Sequence, residues 1–320
     1  MTKMKAAIRR NYGSPDQIRI ESLERPVPED NEVLIKVHAT TVSRTDCANL
    51  TAKPFIMRFF LGLRKPRKII LGNDFAGEVA ATGKNVDSFS IGDKVFGFND
   101  MGSESQAEYL TTSIENVFRV PDQTDLKQAA ASLEGAHYAY SFIQRTELRA
   151  GQNILINGAT GGIGSALLQF VRPYDVRITA TCNTRNIELI RSLGAGRIYD
   201  YTKEDFNKDP DHYDYIFDTV GKSTFGKCRP LLKEKGVYMS SELGPYFQNV
   251  YYPLLKSMSD KKVIFPIPYH KNRSAPYITD HLQKGTFRPV IDREFPLEEL
   301  SRAYEYVLTG QKTGNVVIKI

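Results

Sequence analysis

The chain has 320 residues, 41% of them hydrophobic, so it can bury a large core, and its length suggests about two domains. Its 43 basic and 37 acidic residues are interspersed and leave a net charge of +6, which fits an anionic cofactor and argues against a nucleic-acid surface. There is no run of about 18 apolar residues to span a bilayer, and the start Met-Thr-Lys-Met-Lys lacks the apolar stretch of a signal peptide.

In chain order, the first 120 residues hold short β-rich runs at 5–9, 32–39, 75–81, 93–98 and 107–112, separated by turns such as Gly83-Lys84-Asn85 and Gly92-Asp93. This pattern predicts a β-barrel-like domain. The basic stretch Arg64-Lys-Pro-Arg-Lys68 reads as a solvated loop. From residue 123 the patterns alternate: helix at 126–148, strand then helix across 153–171, strand at 177–182, helix at 187–193, then strands at 197–199 and 213–218. A helix at 225–232, a strand at 236–240, a helix at 246–258 and a strand at 263–265 follow. Repeated βα units predict a doubly wound parallel sheet. Past Pro266 and Pro268 come helices at 277–284 and 297–308 and a last strand at 315–320, expected to rejoin the first domain.

The densest chemical signal lies in Asn153-Ile-Leu-Ile-Asn-Gly-Ala-Thr-Gly-Gly-Ile-Gly164, where an apolar strand enters a glycine turn and leaves as a helix. In the segment Ala159-Thr160-Gly161-Gly162-Ile163-Gly164, Gly161 permits a tight turn, Gly162 keeps bulk away from a pyrophosphate, and Gly164 lets the helix pack on its strand. The helix start offers unpaired N–H groups to phosphate. A structural turn without a ligand is the competing reading, since Ala159 replaces the first glycine of the usual GxGxxG pattern.

A site preferring NAD ends the next strand in Asp or Glu, which accepts the ribose hydroxyls. This chain has Cys182 there, followed by Asn183, Thr184 and Arg185: two hydrogen-bonding side chains and a guanidinium suited to a 2′-phosphate. The expected cofactor is NADPH, with Tyr201 after the third strand as a further phosphate contact. The alternative for Arg185 is a solvated position at a helix start.

The segments Gly72-Asn-Asp-Phe-Ala-Gly-Glu-Val79, Ile91-Gly-Asp-Lys-Val95, the glycine turn and Thr313-Gly-Asn-Val-Val-Ile318, in that order, resemble the medium-chain dehydrogenase/reductase superfamily over nearly the whole chain. The resemblance implies a GroES-like β-rich domain over 1–122, completed by 266–320, and a Rossmann domain over 123–265. It places the active site in the cleft between them. A homodimer, joined through an edge strand of the Rossmann sheet, is also expected on this ground.

Zinc-dependent members of that superfamily carry Cys where this chain has Ser43, and the His and Glu of a Gly-His-Glu motif where it has Asn73 and Asp74. Neutral Ser43 and Asn73 are poor zinc ligands. Three dispersed cysteines, without a Cys-x-x-Cys pair, encode neither a disulfide framework nor a metal site, and they suit a reducing cytoplasm. The five histidines show no ligand spacing, so no metal is expected. The zinc-free branch that the chain resembles contains quinone oxidoreductases and enone or alkenal reductases. Hydride addition to such acceptors delocalises the charge as a phenolate or enolate, which hydrogen-bond donors can stabilise in place of a Lewis acid. A cofactor-binding structural or regulatory protein with little turnover, and an alcohol dehydrogenase-type enzyme, are the alternatives.

By the same resemblance, Thr45 and Asp46 fall at positions near the nicotinamide and its proton path. Thr45 can relay a proton without being its ultimate source, and Asp46 either orients a neighbour or ties down its loop. His137 is a candidate proton donor near neutral pH, or a satisfied helix histidine. Phe55, Met57 and Phe59 offer an apolar surface to an aromatic acceptor, with core packing or a dimer contact as equal explanations. Val220, Ser240 and Ser241, at strand ends, are expected carboxamide or ribose contacts, and Asn315 is carried over from the terminal motif.

Overall fold

The computed structural model describes residues 2–99, 101–252, 260–268 and 271–320. The chain divides into two compact units, Met1–Glu134 with Lys271–Ile320, and Gly135–His270.

The first unit begins with an antiparallel pair, β1 (Lys3–Ile8) and β2 (Arg19–Glu24). Five further strands follow: β3 (Glu32–Val42), β4 (Asp74–Thr82), β5 (Lys94–Phe98), β6 (Tyr109–Ser113) and β7 (Val117–Arg119). The second unit supplies β8 (Asn153–Asn157), β9 (Arg177–Cys182), β10 (Arg197–Asp200), β11 (Tyr213–Asp218), β12 (Leu232–Ser240) and β13 (Lys262–Ile264). The returning segment adds β14 (Ile291–Pro296) and β15 (Asn315–Lys319) to the first unit.

In the first unit the main sheet runs β14-β15-β3-β4-β5-β7, with β6 paired to the first half of β3. Val33, Ile35 and Val37 of β3 pack with Phe75, Val95 and Leu110 in its core. β15 lies antiparallel to β3 with Val316 opposite Val42, so the turn that precedes β15 is carried to the end of β3, where Ser43 begins the next helix. This pairing assembles the candidate site from segments about 270 residues apart in the chain.

The second unit is a six-stranded parallel sheet in the order β10-β9-β8-β11-β12-β13. Its central strand β8 is buried on both faces, as the unbroken apolar run Ile154-Leu155-Ile156 requires. The order reverses between β8 and β11, the place where open α/β sheets bind ligands beyond their carboxyl ends. The architecture is a GroES-like β-rich unit and a doubly wound Rossmann unit.

Local chemistry moves several boundaries. The helix predicted over 126–148 is two helices, Leu126–Ala131 and Glu134–Ile143. Ser132 turns its hydroxyl back onto the Ala129 carbonyl at 2.8 Å, and the Asp74 carboxylate takes the Glu134 N–H at 3.3 Å, so both sides of the break have partners. The final helix is better delimited, Leu300–Leu308, with Leu300, Ala303, Tyr304 and Val307 buried at helical spacing. Of the helix predicted over 246–258, the described part is Gln248–Tyr251, and residues 253–258 lie outside the described residues.

Candidate active site

At the carboxyl edge of the Rossmann sheet, the left-handed residue of the turn is Gly158, with φ +84°, whereas Gly161 has an ordinary extended conformation at φ −73°. The tight-turn role expected of Gly161 therefore belongs to Gly158, which lies one residue outside the motif. A Cβ on Gly158 would lie 2.8 Å from Val220 Cβ, and one on Gly164 would fall on the Gly158 carbonyl and 2.8 Å from Ala159 Cα. Gly161 caps the helix Gly162–Val171 without a side chain to occupy its first N–H groups. Together these make a bare, positively polarised helix end, which fits a pyrophosphate.

Behind the turn lies a buried polar chain. Gly158 N donates to Thr181 Oγ1 at 3.0 Å, Thr181 Oγ1 to Asn157 Oδ1 at 2.7 Å, and Asn157 Nδ2 to Asp218 Oδ1 at 3.1 Å. Asp218 also accepts from the backbone N–H groups of Val220, Gly221 and Ser223 and from the Tyr238 hydroxyl at 3.0 Å. Burial pushes the Asp218 carboxyl up, and these donors pull it back. Asp218 thus holds the loop bearing Val220 in shape. Next to it, Ser240 is fully buried and exchanges hydrogen bonds with the Glu242 backbone, while the buried Ser241 Oγ has no partner. An unpaired buried hydroxyl at this edge fits a hydrogen-bonding cofactor group.

Asn183, Thr184 and Arg185 form the turn after β9, with Thr184 and Arg185 exposed. The sequence alone does not single out Asp200, the last residue of β10, which lies opposite Cys182. Asp200 accepts from the Thr184 hydroxyl, from Thr202 Oγ1 at 2.6 Å and from Thr202 N at 3.0 Å. These bonds, that from Thr184 foremost, bring its carboxyl down to about 2. The Thr184 proton is thereby committed to Asp200. Tyr201 follows directly, its ring 54% exposed and its N–H on the Cys182 carbonyl at 3.0 Å.

In the first unit, Ser43 and Asp46 form a capping box at the start of the helix Arg44–Thr51. Asp46 Oδ2 accepts from Ser43 N at 2.8 Å and from Ser43 Oγ at 2.9 Å, and Ser43 Oγ accepts from Asp46 N at 3.1 Å. Asp46 is buried and ties down its loop. Asn73 is fully buried and accepts from Asn49 Nδ2 at 3.1 Å, while its own Nδ2 finds no partner. Asp74 accepts from Thr41 Oγ1 at 2.7 Å as well as from Glu134 N. Glu134, which the sequence alone does not single out, is 8% exposed and lies near the hydroxyls of Thr45 and Ser43. Burial pushes its carboxyl up, against the pull of those hydroxyls and of the Lys312 ammonium. The available signal was an acidic residue inside the apolar run Ala129-Ala-Ala-Ser-Leu-Glu-Gly-Ala136.

Other candidates lie elsewhere. His137 belongs to the Rossmann unit, is 2% exposed, and packs edge to face on Tyr138 at 6.1 Å. Phe55 and Phe59 are 64% and 59% exposed and meet edge to face at 6.1 Å, and Met57 is half-buried. From that segment Phe60 and Leu61, with Asp46, Asn49 and Asn73, line a cavity of about 220 Å³. Asn315 donates its amide and its backbone N–H to the Val290 carbonyl, a structural clasp at the start of β15.

The chain is similar to known proteins over nearly its whole length. Residues 29–140 match the alcohol dehydrogenase GroES-like domain family and residues 193–318 the zinc-binding dehydrogenase family. The 2-methylene-furan-3-one reductase of Solanum lycopersicum is 30% identical, the match covering 99% of this chain and 79% of that protein. The NADPH-dependent alkenal/one oxidoreductase of Arabidopsis thaliana is likewise 30% identical, over 99% and 79%. The chain belongs to the medium-chain dehydrogenase/reductase superfamily.

Within that superfamily it falls in the quinone oxidoreductase-like branch. The solved quinone oxidoreductase of Coxiella burnetii superposes with a TM-score of 0.89 at 26% identity, covering 100% of both chains. As a medium-chain reductase it is an oxidoreductase using a nicotinamide cofactor. One matched family carries zinc in its name, yet among the described residues no three His, Cys, Asp or Glu side chains group as a metal would require. Among the same residues no helix is long and apolar enough to cross a membrane.

Proposed function

We propose that this medium-chain reductase uses NADPH to reduce quinones or enone and alkenal double bonds, with side chains rather than zinc stabilising the developing oxygen charge. The observation that carries the reading is the likeness, over 99% of the chain, to an NADPH-dependent alkenal/one oxidoreductase. Thr160, Gly161, Gly162, Ile163 and Gly164 would hold the pyrophosphate, Asn183, Arg185 and Tyr201 the 2′-phosphate, and Val220, Ser240 and Ser241 the nicotinamide end. When bound, the reduced nicotinamide supplies a hydride. The Thr45 hydroxyl donates to the oxygen of the conjugated acceptor, whose charge is already spread over the enolate or phenolate and so needs less help than an alkoxide. Ser43 and Asn73, in place of cysteine and histidine, support the zinc-free part of the reading. It includes a homodimer, expected from the family likeness, and a cytoplasmic setting that three free, buried cysteines suit.

The test follows cofactor absorbance with a quinone, an enone and a simple alcohol on chelator-treated protein. Turnover of the first two supports the reading. Binding of NADPH without oxidation by any of them overturns it in favour of a binding protein.

Cofactor choice has its own test. Arg185 and Asp200 act oppositely on a 2′-phosphate, the guanidinium as donor and the carboxylate as a like charge. Arg185→Ala is expected to weaken NADPH binding about 10-fold, by the loss of one charge-assisted hydrogen bond, and to leave NADH binding unchanged. Titration calorimetry with both dinucleotides reads the difference; equal losses would remove Arg185 from the phosphate site.

A further inference from the structure

The cavity of about 220 Å³ lies wholly within the first unit, and two buried donors on its wall are not used by the fold itself. One belongs to Asn73. Its backbone carbonyl accepts from Asn99 N at 3.0 Å and from Ser103 Oγ at 2.6 Å, and its Oδ1 accepts from Asn49 Nδ2 at 3.1 Å, so the residue is held at both ends. What remains is Nδ2, a donor with no partner among the described residues. Arg9, buried on the same wall, donates through Nη1 to the Asn49 carbonyl and carries its guanidinium 5.2 Å from the Tyr12 ring centroid, and its Nε is likewise unpartnered. A buried N–H without an acceptor is costly, and two on one cavity wall mark a place for an oxygen from outside the chain.

The rest of the wall narrows the choice of oxygen. Phe60, Leu61, Leu71 and Met101 give the cavity an apolar side. Arg9 and Arg67 stand against one carboxylate among the lining residues, that of Asp46, whose Oδ2 already accepts from Ser43 N and Oγ; Lys68 pairs with Glu104 at 3.4 Å. The wall is therefore positive and rich in donors, which stabilises an oxygen that gains negative charge more than a neutral one. A volume below the about 300–1,000 Å³ of drug-sized sites suits a short, apolar molecule.

We propose that this cavity receives the carbonyl end of the acceptor and that Asn73 Nδ2 donates to its oxygen, so that the substrates are short enones or alkenals and single-ring quinones. This rests on the reductase reading above. In an enone, the hydride forms a C–H bond at the β-carbon, the C=C pair shifts to the bond between the α-carbon and the carbonyl carbon, and the C=O pair moves onto the oxygen. The acceptor gains the two electrons that the nicotinamide loses. Asn73 keeps its own proton and holds the enolate oxygen, whose lone pairs serve the Thr45 hydroxyl as well. Water then supplies a proton to the α-carbon, and the saturated ketone has gained one hydride and one proton in all.

The test compares the wild-type protein with Asn73→Ala, which removes the donor and leaves the backbone bonds to Asn99 and Ser103 in place. With a short enone, kcat is expected to fall about 100-fold to 1,000-fold with a smaller change in KM, and the NADPH dissociation constant to stay within about two-fold. The infrared carbonyl band of that enone, bound together with NADP⁺, reads the hydrogen bond itself: it should lie at lower frequency in the wild type than in Asn73→Ala, a shift that a merely structural role would not produce. Pocket size is read by the wild-type kcat/KM, expected to be at least about 10-fold higher for the short enone than for the same enone bearing a naphthyl group. If Asn73→Ala does not fold, a crystal structure of the wild-type protein with NADP⁺ and the short enone should place the enone oxygen within about 3.2 Å of Asn73 Nδ2, and an oxygen bound elsewhere overturns the proposal. Near wild-type kcat with an unmoved carbonyl band in Asn73→Ala, or a preference for the naphthyl enone, overturns the proposal alone. No turnover of any quinone or enone by the wild-type protein overturns the reductase reading and the proposal with it.

Discussion

Asp218→Ala is expected to destabilise the Rossmann unit by about 3–5 kcal/mol, the range found when one partner of a buried charged network is removed. The reason is the number of donors left behind. Asn157 Nδ2, the Tyr238 hydroxyl and the backbone N–H groups of Val220, Gly221 and Ser223 all converge on this one carboxylate, and the site is closed to water. Each unsatisfied buried donor costs about 1–3 kcal/mol, partly relieved by relaxation. Asp218→Asn retains one carbonyl oxygen for the Asn157 and loop donors, so it should recover part of the loss. Urea unfolding followed by circular dichroism reads both; an alanine variant within about 1 kcal/mol of wild type would mean that the network is not holding the loop.

Gly164→Ala should be the most damaging single methyl group in the cofactor site. The added carbon would fall on the Gly158 carbonyl and crowd Ala159 Cα, both backbone, so no side chain can swing aside. The helix Gly162–Val171 would have to move away from β8, at about 1–3 kcal/mol of stability, and the N–H groups aimed at the pyrophosphate would move with it. NADPH binding should weaken by about 100-fold or more, a loss on the scale of two charge-assisted hydrogen bonds. Gly161→Ala is the control. Its φ of −73° is open to any residue, and the nearest heavy atom to an added Cβ is the Gly158 carbonyl oxygen at 3.6 Å. Urea unfolding of the two variants should separate them clearly, since only the Gly164 methyl meets backbone; equal losses of stability would contradict the close helix–strand approach.

Why the glycine turn was legible in sequence follows from these same contacts. A strand, a glycine cluster and an apolar helix leave one packing solution, and periodicity reports all three. The central parallel strand β8 was legible for the same reason, since burial on both faces writes an unbroken apolar run. β2, β7 and β14 were not, because Arg19–Glu24, Val117–Arg119 and Ile291–Pro296 are short or half-exposed and owe their pairing to partners distant in the chain. The site was harder. Ser43 and Asp46 stand three apart and follow a local capping rule, so their link is readable. Glu134 is brought to Thr45 only by the sheet and the helix break at Ser132 and Leu133, and Asp200 reaches Thr184 only through the pairing of β10 with β9. The misplaced turn glycine has a similar origin: a motif gives the number of glycines, but the backbone decides which one is left-handed.

The most direct measurement is a reaction of chelator-treated protein with an enone and NADPH deuterated at nicotinamide C4 on the transferred face. One deuterium on the β-carbon of the saturated ketone, at a rate unchanged by chelation, is the predicted result. Product without label, or turnover that vanishes on chelation and returns with zinc, would contradict the account.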